Sequence, residues 1–69
     1  MERNIRLNWQ EIIEEAKRRR KEQGISQRRL AAIADISAPT VSRFELGKED
    51  IQLSSALAVL EALGMLEKS

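Results

Sequence analysis

The side chains that could do chemistry in this chain are guanidiniums, ammoniums, hydroxyls, carboxylates and amides, because it contains no histidine and no cysteine. That removes the commonest general base and metal ligand, and with them any disulfide or thiolate site. No glycine loop of the phosphate-cradling kind is present either. What remains is hydrogen bonding to anions and base edges rather than the making of bonds, so no enzyme, metal or cofactor is expected. The stretch from Gly24 to Lys48, GISQRRLAAIADISAPTVSRFELGK, gathers most of the relevant groups. Within it Arg43 carries a planar guanidinium fork that can donate two parallel hydrogen bonds. The plainer role for an arginine near a helix end is to complement the helix dipole.

Two short helices joined by a tight corner would position these groups. Ser26 is placed to cap a helix over about Gln27 to Ala34 with Leu30, Ile33 and Ala34 at inward spacing. Ser37 can cap another, with Val41, Phe44 and Glu45 inward and Pro39 tolerated in its first turn. The helical step then throws Pro39, Ser42, Arg43 and Leu46 outward, with Ala38 and Thr40 at the flanks. Between the helices lies Ala34-Asp35-Ile36-Ser37, where Asp35 is a residue that tolerates positive φ and Ile36 is an apolar plug. The unit is a helix-turn-helix candidate.

The rest of the chain supplies walls for this unit. Asn8 can cap a first helix, with Glu11 closing a capping box and Leu7 and Ile12 forming a hydrophobic staple. Trp9, Ile12, Ile13, Ala16 and Arg20 recur on one face, and Gly24 ends the helix. From Gln52 or Leu53 a further helix carries Leu53, Ala56, Leu57, Leu60 and Leu63 until Gly64 stops it. Beyond, only a few residues remain, and Val59, Met65 and Leu66 either cover the end of the core or stay partly exposed as half of a dimer seam. Residues 1–7 read as an N-terminal arm, either a frayed end or a segment that touches DNA or pairs as a strand. The resulting expectation is a single all-α domain over 1–69, a bundle of four to five short helices with its core in 8–66.

Composition agrees with that class. A chain of 69 residues buries only about 60% of its unfolded surface, so the core must be small. Apolar content comes from leucine, isoleucine and alanine, with Trp9 and Phe44 the only aromatics, a balance that favours helices. No apolar run approaches the ~20 residues of a membrane span, and no signal-peptide core is present, so a soluble cytoplasmic protein is expected. The net charge of +1 is modest for a nucleic-acid binder. What counts for such binding is where the bases lie: Lys17 to Lys21, Arg28 and Arg29, then Arg43 and Lys48.

In Ser26-Gln27, Leu30-Ala31, Val41, Glu45 and Gly47-Lys48 the chain resembles the phage-repressor, Cro-type or Xre-type helix-turn-helix family, over roughly residues 9–66. The resemblance implies a sequence-specific DNA-binding transcriptional regulator, a repressor, whose third helix enters the major groove of double-stranded DNA. It places base reading at Ala38, Pro39 and Arg43, and the outward Ser42 shares their face. Ala38 and Pro39 offer no side-chain hydrogen bonds, so much of the specificity would be indirect, through DNA shape. Phosphate contacts fall to Ser26, Gln27, Arg28, Ser37, Thr40 and Lys48. Arg20 and Glu45 match a structural ion pair that pins the first helix to the third. Read without the family, Arg20 is one more solvated base in a run and Gln27 a surface glutamine.

Two departures from the family pattern stand out. Asp35 occupies the corner position that relatives usually give to glycine. Glu49 and Asp50 lie in a loop that is often basic or polar in relatives, where they oppose the phosphates and make binding modest and salt-sensitive. The family commonly binds palindromic operators as homodimers. An antitoxin-like or adaptor module that also contacts a partner protein is the rival function, and a helical bundle without nucleic acid is the structural one.

Overall fold

The computed structural model describes residues 8–66. The expected arm at 1–7, with the Leu7 half of the staple, and the residues from Glu67 onward lie outside them. Four helices follow one another, α1 (Trp9–Glu22), α2 (Gln27–Ala34), α3 (Ala38–Glu45) and α4 (Leu53–Ala62), with no strand among the described residues. The all-α bundle is thus the fold.

Local chemistry sets the helix ends. The Asn8 side chain accepts from the Glu11 N–H at 3.1 Å, Ser26 from Arg29 at 3.0 Å and Ser37 from Thr40 at 3.2 Å, each satisfying a donor that the first turn leaves open. At the end of α1, Gly24 takes φ 70. Its N–H then donates to the Lys21 carbonyl at 3.0 Å while that of Ile25 donates to Arg20 at 3.3 Å, the paired bonds of a Schellman ending. Asp35 closes α2 at φ 60 and ψ 44, in the left-handed region where its short polar side chain is tolerated. The chain can therefore turn the corner without glycine.

The core is built where α2 packs on α3 and α4, and α1 on α3. Ile13, Leu30, Val41, Phe44 and Val59 are its largest fully buried side chains. The Trp9 ring meets Phe44 edge-on, with centroids 5.6 Å apart, tying the start of α1 to the inward face of α3. Ala31 is buried beside Leu30 in α2, small where the helices of the motif cross.

Two inward faces differ from the periodicity reading. Ile33 is 50% exposed, because Leu30 and Ala31 occupy the centre of the inward face of α2 and leave Ile33 at its edge. In α4 the buried set is Ala56, Val59 and Leu60, so Val59 belongs to the core, whereas Leu53 and Leu57 are exposed. That helix is apolar on most of its circumference, and spacing alone fits more than one orientation.

Candidate nucleic-acid interface

α3 is anchored from behind and open in front. Val41 and Phe44 are fully buried, and the Glu45 side chain is only 6% exposed, so the helix cannot rotate about its axis without breaking the core. On its other side Pro39, Arg43 and Leu46 are exposed, with Ala38, Thr40 and Ser42 half-buried at the margins. The candidate base-reading residues Ala38, Pro39, Ser42 and Arg43 thus share one accessible helix. Leu46, exposed at its end, adds an apolar edge.

Glu45 is the centre of a polar knot behind that helix. Its carboxylate accepts from Arg20 Nε at 2.7 Å and from Arg20 Nη2 at 3.2 Å, a bidentate contact between α1 and α3. Arg20 Nη1 also donates to the Ile25 carbonyl at 2.9 Å, which fixes the loop leading into α2. Gln27 Nε2 donates to Glu45 at 2.9 Å. Burial alone would raise the Glu45 carboxyl, but the hydrogen bonds from Arg20 and Gln27 outweigh it and hold it below its ordinary value. One knot therefore fastens α1, α2 and α3.

This engagement of Gln27 was not foreseeable from its place at the start of α2. Its amide nitrogen carries a second hydrogen, so donation to Glu45 still leaves one N–H for an outside acceptor. A similar economy holds at the start of α3, where the Ser37 and Thr40 hydroxyls share one hydrogen bond at 2.7 Å. Whichever donates, the other retains its hydrogen. Ser26 Oγ accepts its cap bond and likewise keeps its own hydrogen to give. Arg28 and Lys48 are exposed, as is Arg29, and none of the three forms an ion pair among the described residues.

All of the basic run of α1 but Lys21 is paired within the protein. Arg18 pairs with Glu15 and Glu22, at the three- and four-residue spacing of neighbours on one helix face. Arg19 pairs with Glu15 and reaches across to the end of α4, where Nη1 donates to the carbonyls of Leu63 at 3.3 Å and Gly64 at 3.0 Å. Hydrogen bonds from Arg18 and then Arg19 hold the Glu15 carboxyl down to about 2. Of the bases whose position suggested a nucleic-acid surface, Arg19 and Arg20 join α1 to other elements, whereas Lys17 and Arg18 pair within α1. The open positive charge sits at Lys21, Arg28, Arg29 and Lys48.

Arg43 has a partner of its own. Its Nη2 donates to Asp50 Oδ2 in the loop after α3, with both side chains largely exposed. The guanidinium lowers the Asp50 carboxyl below its ordinary value despite the opposing effect of desolvation. Asp50 is therefore more than a repulsive charge in an acidic loop, and because it lies beyond the end of α3 no helical pattern reveals its link to Arg43.

No helix among the described residues is long and apolar enough to cross a membrane. A family model described as helix-turn-helix matches residues 17–67, which include α2, the corner, α3, α4 and the later part of α1. No curated protein and no solved structure matches the chain.

Proposed function

The chain belongs to the Xre/lambda-repressor-like helix-turn-helix family of DNA-binding regulators, and from that premise we propose that it is a cytoplasmic repressor that docks α3 in the major groove. The single observation carrying this reading is the anchored helix with an open front: α3 is immobilised by Val41, Phe44 and the Glu45 knot, and Arg43 projects from its exposed side. Arg43 reads guanine through a bidentate contact, while Ala38, Pro39 and Ser42 line the approach and leave part of the specificity to DNA shape. Phosphates are held by the hydroxyls of Ser26, Ser37 and Thr40, the second amide hydrogen of Gln27, and the charges of Arg28 and Lys48.

Two copies act on one operator. Trp9, Ile12, Leu53, Leu57, Met65 and Leu66 help to line an apolar groove of about 470 Å³, at which Leu53 is 72% and Leu57 42% exposed. None of its lining residues belongs to α2 or α3, so a second copy seated there leaves both recognition helices free. Linked half-sites gain affinity through effective concentration even when the protein contact is slight.

Selection of bound sequences from random duplex DNA tests the whole reading. A palindrome with half-sites about one helical turn apart is the expected result, and failure to enrich any sequence would overturn it. Leu57→Glu, at an exposed position, should remove cooperative filling of the palindrome while preserving half-site binding and the helical fold. Retained cooperativity would exclude the groove as the seam. Half-site binding by a stable monomer that seats a different protein in the groove would favour the adaptor function instead.

A further inference from the structure

We infer that Asp50 is a specificity-determining residue, whose carboxylate tethers the Arg43 guanidinium so that it serves as a base reader and not as a roaming phosphate contact. The inference rests on the proposed role of α3 in the major groove. Arg43 is the only charged side chain on the outward side of that helix, since Glu45 faces inward. Its long, flexible stem lets an untethered guanidinium reach base edges and backbone phosphates alike. Asp50 holds it by Nη2.

The pair has little to contribute to the fold. With side chains 48% and 69% exposed it lies in water, where ion pairs add little stability. Its consequence lies in orientation and charge. One carboxylate oxygen on Nη2 leaves further N–H groups on the same guanidinium, enough for the two parallel bonds to guanine O6 and N7. Holding the side chain in advance reduces the ordering cost of that contact. Partial neutralisation by Asp50 also weakens the attraction of Arg43 for phosphates, which lies on every sequence and carries no information. Both effects favour the base-directed pose.

Glu49 provides the internal control. It is exposed, adjacent and of the same charge, yet it forms no ion pair among the described residues. If the loop acted only through its negative field, the two acids would behave alike. A tether predicts that they differ.

The test uses the full chain and the duplex it selects from a random-sequence library, together with single-base variants of that duplex. Binding is measured for the parent, Glu49→Gln, Asp50→Asn, Arg43→Ala and the Arg43→Ala/Asp50→Asn double variant. Glu49→Gln should tighten all duplexes by a common factor. Asp50→Asn should tighten the mismatched duplexes more than the preferred one, so that preference at the Arg43-dependent base pair falls at least threefold. In the Arg43→Ala background the Asp50 change should leave base preference unaltered. A common factor for Asp50→Asn on every duplex, as for Glu49→Gln, would overturn the tether while Arg43→Ala still erased preference at one base pair. Uniform weakening by Arg43→Ala would instead refute base reading by Arg43, and the inference would fall with it.

Discussion

Two arginine–carboxylate pairs lie on opposite sides of α3 and use the same chemistry to different ends. Behind the helix, Arg20 and Glu45 are 13% and 6% exposed and make a bidentate contact across 25 residues of sequence. In front, Arg43 and Asp50 meet through one nitrogen in the open. The difference is solvent. A desolvated pair must remain matched because either partner left alone is a buried charge, whereas an exposed pair can exchange its partner for water or a ligand at little cost. The rear pair is thus committed to structure, and the front pair is free to take part in binding.

The rear pair is where a single change should cost most. Glu45→Ala strands the Arg20 guanidinium and leaves Gln27 without its partner, and Arg20→Ala strands the carboxylate, so each should lose about 3–5 kcal/mol of stability in chemical denaturation. Lys21→Ala, on an exposed base in the same run, should stay within about 0.5 kcal/mol of the parent. Equal losses at all three would make the rear pair no more structural than any surface charge.

Acid should separate the pairs next. Because the folded Glu45 carboxyl titrates below its ordinary value of 4.5, its contribution is fully present above that pH and is lost as pH falls through the depressed folded value. Glu45→Gln should lower stability near neutrality and flatten the fall below pH 4.5. Asp50→Asn should leave most of that fall in place: its own carboxyl is also lowered, but solvent screens an exposed partner. Identical acid profiles for the two variants would contradict the contrast in burial.

Arg19 supplies an intermediate case. It is 35% exposed and reaches from α1 to the carbonyls of Leu63 and Gly64 just past α4, so Arg19→Ala should cost about 1–2 kcal/mol, less than loss of the rear pair. A melt indistinguishable from that of the parent would reduce this contact to a surface decoration.

Local chemistry made much of this molecule legible in its sequence. Asn8, Ser26 and Ser37 announce helix starts because a cap needs only its own next few residues, and Asp35 marks the corner for the same reason. The α2 and α3 boundaries follow. Less was legible wherever a contact joins distant segments. Nothing in a helical period links Arg19 to Gly64 or Arg43 to Asp50, since loop geometry decides both. The orientation of α4 was hidden differently: with Leu53, Leu57 and Val59 all apolar, burial of Val59 follows from the packing of α2 against α4 and not from any stripe. The internal pairing of α1, by contrast, is written in its spacing. Glu15, Arg18, Arg19 and Glu22 stand at threes and fours, the spacing that neutralises much of the basic run of α1 from within.

The smallest effect on stability should come from the front pair, and its smallness is what gives the comparison its functional meaning. Arg43→Ala removes an exposed side chain whose only polar partner among the described residues is an exposed carboxylate, and it leaves Val41, Phe44 and Glu45 in place. No buried group loses a partner, no cavity forms, and alanine suits a helix interior, so the melting transition should not move measurably. On the selected duplex the same change should cost about 1–3 kcal/mol and relax discrimination at one base pair, because the proposed bidentate contact to guanine would be lost and the proposed phosphate contacts would not. Unchanged folding with selective loss of recognition would separate the front of α3 from its rear. A marked loss of stability without loss of base preference would merge them, and Arg43 would then belong with Arg20 among the fasteners of the bundle.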